Sequence, residues 1–184
     1  MIKNIAVVGC GHWGKNLIRN FSELGVLYAV CDENKELADK FADLYKVDNL
    51  NFNEIINNES IQGVVIAAPA VLHAQLAIKA LSAKKHVYVE KPLSLNIHDS
   101  NEMIKTSLDN DVQLMVGHLL QYHPIFIKLL ELVNLGKFGN ILSISSNRMS
   151  FGKVRSEEDV IWSFAPHDIS MILALAQRTP SSVI

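Results

Sequence analysis

The 184 residues hold only two cysteines and five prolines, no block of lysine or arginine, and no uninterrupted apolar run of bilayer length. Each scarcity removes a class. The longest apolar run, Gly63 to Leu72, is broken by Pro69 and is about half of what a bilayer demands. Cys10 and Cys31 are too few for a disulfide scaffold and lack metal-ligand spacing, so both read as small buried residues and no metal is expected. Met1 leads straight into a strand-like run with no basic region, so no secretory signal is visible and a reduced, cytoplasmic setting is expected. A formal charge of -2 argues against a nucleic-acid groove or an anionic membrane surface as partner. An anionic ligand then has to be held locally.

What is present fits a soluble globular protein: 49% of residues are apolar and 20% charged. Short Val/Ile-rich runs at Ile5 to Val8, Leu27 to Cys31, Val64 to Ala67, Val87 to Val89 and Leu114 to Val116 read as strands, with a weaker one near Leu50 to Phe52. Between them Trp13, Leu17 and Phe21, then Leu37, Phe41 and Tyr45, then Leu72, Leu76 and Ala80 recur at helical spacing. This alternation predicts an α/β fold, a doubly wound parallel sheet of Rossmann type over residues 1–120.

Beyond Gly117 the texture changes. A helix is expected from Pro124 to Leu135, a turn at Gly136 to Gly139, a strand from Ile141 to Asn147, and a last helix from Pro166 to Ala176. Ser181 to Ile184 reads as the opening of another strand, and a sheet of so few strands leaves open edges. Residues 121–184 are therefore expected to be part of a second, α+β domain.

Gly9, Gly11 and Gly14, with His12 and Trp13 between them, form G-x-G-x-x-G directly after the first strand and at the start of a helix. In that context the first glycine makes the tight turn, the second lets backbone approach a pyrophosphate, and the third lets helix and strand pack. The helix N-terminus then meets the anion. Asp32 closes the second strand about twenty residues on, where a carboxylate accepts from the adenosine ribose 2'-OH and repels a 2'-phosphate. NAD is thus favoured over NADP. The alternative for Asp32 is a cap on a helix starting near Glu33.

Glu90-Lys91-Pro92 follows a buried strand at its carboxyl end, the side where ligands bind in open α/β sheets. Taken alone, Lys91 also reads as a solvated strand-end lysine. His73, after Ala68-Pro69, is either a helix-surface histidine or ligand-facing. His167 is placed at a helix start, where the dipole favours the neutral base form, or is structural. Arg148, Lys153 and Arg155 suit a phosphate or carboxylate, and equally suit a solvated loop.

The glycine turn, Ala67-Ala68-Pro69 with His73, Glu90-Lys91-Pro92 and the late histidine, in this order and spacing, resemble the Gfo/Idh/MocA oxidoreductases along the whole chain. That resemblance implies a Rossmann domain followed by a domain with a large open antiparallel sheet, and an active site between them. It implies that Ala68, Pro69, His73, Glu90 and Lys91 join the glycine turn around the dinucleotide, that Lys91 contacts the substrate hydroxyl, and that His167 is the acid/base. Tyr122, Arg148, Lys153 and Arg155 fall on the substrate side. Family members run longer than this chain and commonly self-associate. The segments Ser146-Asn147-Arg148, Gly152 to Arg155 and Trp162 to Ser170 are similar to a branch of sugar-nucleotide dehydrogenases of the UDP-N-acetylglucosaminuronate type, which accompany acetyltransferases of surface-polysaccharide synthesis. Two positions depart from the family pattern: Ser163 stands where an Asp precedes the late histidine, and Leu119-Leu120 where Asn-Arg is usual. Asp168 is the remaining carboxylate that could orient His167.

The expectation is reversible oxidation of a secondary alcohol on a sugar or nucleotide sugar by NAD. A dehydrogenase of free sugars or inositol and a non-catalytic dinucleotide-binding module are the alternatives.

Overall fold

The computed structural model describes residues 2–149 and 159–183. The chain forms two compact units, residues 1–117 and 118–184.

In the first unit the Val-rich runs become strands because a sheet covered on both faces buries every side chain of its central strands. The strands are β1 (Ile5–Val8), β2 (Leu27–Cys31), β3 (Asp48–Asn49), β4 (Gly63–Ile66), β5 (His86–Val89) and β6 (Leu114–Val116). They make one parallel sheet in the order β3-β2-β1-β4-β5-β6, which is the expected Rossmann arrangement. One face packs Ile18, Val7, Val30 and Val65, the other Ile55, Ile61, Ile66, Leu81 and Met103. The order of strand addition reverses between β1 and β4, so the crevice at their carboxyl ends is the place such sheets hold ligands.

The helices of this unit are α1 (Gly14–Glu23), α2 (Lys35–Tyr45), α3 (Phe52–Asn57), α4 (Ala70–Ser82) and α5 (Ile97–Asp109). Asn34, Asn51 and Asn96 cap α2, α3 and α5 by accepting first-turn N–H groups. The helices α1 and α4 have no side-chain cap, and these are the two that begin where β1 and β4 end. The expected strand at Leu50 to Phe52 is displaced: pairing is confined to Asp48–Asn49, because Asn51 and Glu54 close a reciprocal capping box that commits Phe52 to a helix.

In the second unit a 3-10 turn at Leu119–Tyr122 precedes α6 (Pro124–Asn134), and α7 runs from Val160 to Ala176. Two expectations are corrected. Residues 141–147 are not a strand, and Ser181 to Val183 form none either. A strand needs a hydrogen-bonded neighbour, and among the described residues none lies beside them; Ile184 lies outside the described residues. The last helix also starts six residues before Pro166. Asp159 accepts the Trp162 N–H at 2.9 Å and caps it there, so Pro166 sits inside and withholds one hydrogen bond from the ladder. Among the described residues no helix is long and apolar enough to cross a membrane, and no group of three His, Cys, Asp or Glu side chains is placed to hold a metal ion.

Candidate dinucleotide site

The glycine turn follows β1 as the sequence predicts, and two of its three glycines are demanded by the fold itself. Gly9 has φ +98°, and a Cβ there would lie 2.6 Å from the Ala67 carbonyl carbon and oxygen. A Cβ on Gly14 would lie 1.8 Å from the Gly9 oxygen, so α1 can pack on the turn only without a side chain. Gly11 differs: a Cβ there meets nothing within 4 Å, and it would project into open space beside the uncapped start of α1. Open space beside the unpaired N–H groups of a helix start suits an anion. Exposed His12 and Trp13 complete the turn.

Asp32 ends β2 against the same turn. Its Oδ2 accepts the Cys10 N–H at 2.6 Å and its Oδ1 accepts the Asn34 N–H at 2.9 Å. Asn34, not Asp32, caps α2, so the capping alternative is set aside. Cys10 and Cys31 lie beneath, 1% and 9% exposed, as expected of small buried residues. Burial and then the charge of Asp32 push the Cys10 thiol up to about 12 and the Cys31 thiol up to about 11.

At the end of β5, Glu90 is 7% exposed and its carboxylate is surrounded by donors. Oε1 accepts the Trp13 indole N–H at 2.8 Å and the Tyr88 hydroxyl at 2.9 Å, and Oε2 accepts the Lys91 N–H at 3.3 Å. Gly117, after β6, leaves the space: a Cβ there would lie 2.5 Å from the Tyr88 hydroxyl oxygen and 2.9 Å from Glu90 Oε1. Half-buried Lys91 leads into a cis peptide bond with Pro92. His73 holds the far side of this corner. Its Nδ1 is 2.7 Å from the Pro92 oxygen and its Nε2 is 2.9 Å from the Ala68 oxygen.

His73 is 1% exposed, so the helix-surface alternative is overturned. Both ring nitrogens lie against backbone carbonyl oxygens, and its link to the ligand crevice runs through Ala68 and Pro92 rather than through an open ring edge. Neither Tyr88 nor Gly117 stands out in the sequence. The one signal was a glycine directly after a strand, which also suits an ordinary turn.

The second unit holds the remaining candidates. Tyr122 is 63% exposed at the end of the 3-10 turn. His167 is the eighth residue of α7, not at its start; a helix dipole acts within the first turn, so that argument for a neutral base does not apply. Asp168, the carboxylate proposed to orient His167, accepts from Arg148 through both oxygens, at 2.5 and 3.3 Å, and from the Ser146 hydroxyl at 2.7 Å. Those hydrogen bonds hold the Asp168 carboxyl below its ordinary value against the opposing effect of burial. Arg148 is thus paired with a protein carboxylate in a bidentate geometry. Lys153 and Arg155 lie outside the described residues.

Residues 3–118 match the model of the oxidoreductase family with an NAD-binding Rossmann fold, Gfo/Idh/MocA. The chain belongs to this family. Among family relatives, oxidoreductase P35 of Formosa agariphila is 31% identical over 147 residues, 76% of this chain and 45% of that protein. The myo-inositol 2-dehydrogenase of Thermotoga maritima is 31% identical over 148 residues, 77% of this chain and 44% of that enzyme. The crystal structure of a probable dehydrogenase from Thermotoga maritima superposes with a TM-score of 0.85 at 26% identity, covering 96% of this chain and 56% of that one. The chain spans about half the length of the curated relatives it matches. Inositol dehydrogenases recur among them, and the sugar-nucleotide branch is not singled out. As a member of the Gfo/Idh/MocA family the chain carries a dinucleotide-binding Rossmann unit, and the glycine cradle described above fits the diphosphate that such a unit binds.

Proposed function

We propose that this protein takes part in reversible oxidation of a secondary alcohol on a polyhydroxylated ring, a sugar or cyclic polyol, with NAD as cofactor. The observation that carries the reading is the physical continuity of the glycine turn and the Lys91 corner, joined within one unit by the Trp13–Glu90 hydrogen bond. Cofactor cradle and candidate catalytic ammonium are parts of one framework.

With its diphosphate in the cradle, NAD would supply the acceptor for the hydride, two electrons and one hydrogen, that leaves the carbinol carbon. The chain's residues handle the rest. Amides of residues 11–14 and the start of α1 hold the diphosphate. Asp32 accepts from the adenosine ribose and disfavours a 2'-phosphate, which supports NAD over NADP. The Lys91 ammonium donates to the substrate oxygen and stabilises the negative charge that develops as its proton departs. His167 remains the proposed acid/base, a role worth roughly 10² to 10⁴ in rate.

The recurrence of inositol dehydrogenases among relatives supports a free polyol. A nucleotide sugar would draw on Arg148, Lys153 and Arg155 for its phosphates, and Arg148 is already paired with Asp168. Tryptophan-sensitised NADH fluorescence, followed by turnover assays with myo-inositol, free hexoses and UDP-sugars, tests the reading. Saturable binding with turnover on a polyol or free sugar supports it. Preference for the UDP-sugar moves the substrate to the nucleotide branch, and binding without any turnover leaves a cofactor-binding module.

A further inference from the structure

Glu90 is a buried carboxylate, and burial is tolerated only when hydrogen bonds replace its water. Two of its three donors, Tyr88 and Lys91, are its own neighbours in sequence; the third, Trp13, comes from a different element 77 residues away. Hydrogen bonds to a carboxylate are shorter and roughly twice as strong as neutral ones, so the indole N–H and the Tyr88 hydroxyl together fix where Oε1 lies, and the indole is the donor that reaches it from the glycine turn. Because Oε2 of the same rigid group accepts the backbone N–H of Lys91, fixing one oxygen orients the other, and with it the peptide that carries Lys91. Gly117 leaves the carboxylate its room, since a Cβ there would lie 2.9 Å from Oε1. On the opposite side of the corner His73 Nδ1 lies 2.7 Å from the Pro92 carbonyl oxygen.

We propose that Trp13 is a positioning residue for Lys91: its indole N–H, acting through the Glu90 carboxylate, sets the placement of the Lys91 corner and transmits to it the state of the glycine turn. This rests on the dinucleotide reading for its purpose, though not for its geometry. Trp13 sits between His12 and Gly14 in the turn, so a diphosphate settling on the turn amides would act on the backbone that carries the indole. The Lys91 end then responds before a nicotinamide is present.

The readout is the acetylation rate of Lys91 by a low dose of acetic anhydride, measured by peptide mass spectrometry relative to exposed Lys40 in the same molecule. In the ligand-free chain Trp13→Phe keeps an aromatic ring and loses the N–H. Its relative Lys91 rate is expected to change by about twofold or more, the scale of coupling between contacting groups, while Trp162→Phe leaves it unchanged. Glu90→Gln keeps an oxygen for the indole but loses the charge, and a smaller change in the same direction is expected. This variant carries the test if Trp13→Phe does not fold. The second arm adds ADP, which has the diphosphate but no nicotinamide to shield Lys91. ADP is expected to alter the Lys91 rate in the wild-type chain and to leave it unaltered in Trp13→Phe that still binds ADP. Unchanged ligand-free rates in both variants, or an equal ADP response in wild type and Trp13→Phe, would overturn the proposal. Absence of ADP and NADH binding sinks the dinucleotide reading instead, and the ligand-free comparison then still decides whether Trp13 positions Lys91.

Discussion

The carboxylate of Asp32 accepts the backbone N–H of Cys10 at 2.6 Å, pinning the end of β2 to the turn that follows β1. A carboxylate offers about four lone-pair sites, and Cys10 and Asn34 use two. The rest remain for ribose hydroxyls. Replacing Asp32 by Ala should therefore weaken NAD binding by about 1.5–3 kcal/mol, the worth of hydrogen bonds to a charged group. Affinity for NADP should fall less or rise, because the repelling charge is gone. Calorimetric titration with both dinucleotides checks this, and an unchanged affinity ratio would leave Asp32 with a structural role alone.

The three glycines are expected to separate stability from binding. Gly9→Ala and Gly14→Ala place a Cβ against backbone at 2.6 and 1.8 Å, so both should unfold at markedly lower temperature, by more than about 2 kcal/mol in stability. Gly11→Ala meets no atom within 4 Å in the ligand-free fold. Its stability should stay within about 0.5 kcal/mol of wild type, the range of benign surface changes, while dinucleotide affinity drops at least about tenfold. A Gly11→Ala chain that binds NADH normally would remove the cradle from that face of the turn.

The sheet was legible because buried parallel strands leave Val/Ile runs that no helix imitates at that length, and the glycine turn because its spacing has a mechanical cause. The α3 capping box was legible in principle, since Asn51 and Glu54 carry its signature, but the short apolar run beside it looked like a strand. What the sequence hid was interaction at long range. Nothing at Trp13 announces Glu90, and nothing at Arg148 announces Asp168; each pair is set by tertiary approach across 77 and 20 residues. Pro166 misled for a local reason: a proline favours a helix start, yet a carboxylate cap at Asp159 outweighed it.

Removing the partner of Asp168 should expose its contribution to acid stability. The Arg148 and Ser146 hydrogen bonds lower the folded-state value, so the stabilisation is present above the ordinary value of 3.8 and is lost as pH falls through the lower folded value. Arg148→Ala is expected to cost about 1 kcal/mol at neutral pH, given a bidentate but partly exposed pair. The cost should shrink on acidification, as read from urea unfolding at a series of pH values. A penalty independent of pH would show that Arg148 stabilises by packing and not through the ion pair.

The two thiols make the opposite prediction at alkaline pH. Their folded values, about 12 for Cys10 and about 11 for Cys31, stand above the ordinary 9.0. The stability they contribute is intact below pH 9.0 and is lost as pH rises through the folded values, because only the unfolded chain ionises readily in between. A Cys10→Ala, Cys31→Ala chain should show a shallower alkaline decline. Near pH 8 the native thiols should resist a maleimide for as long as the protein stays folded, since the thiolate is the reacting form.

Lys91 divides chemistry from cofactor affinity most sharply. Its backbone is held by Glu90 and, one residue on, by His73, and neither hold uses the ammonium. Lys91→Met keeps most of the length and the apolar stem while deleting the charge. In protein that turns over a polyol, the maximal rate should fall by at least about a hundredfold, as when one donor to a developing oxyanion is removed. NAD affinity should remain within a few-fold, because the diphosphate is held by the glycine turn and the ribose by Asp32. The discriminating measurement pairs a single-turnover rate with an NADH titration on the same sample. Collapse of NADH binding would assign the ammonium to the cofactor, and an unaltered rate would place the stabilising charge on another residue.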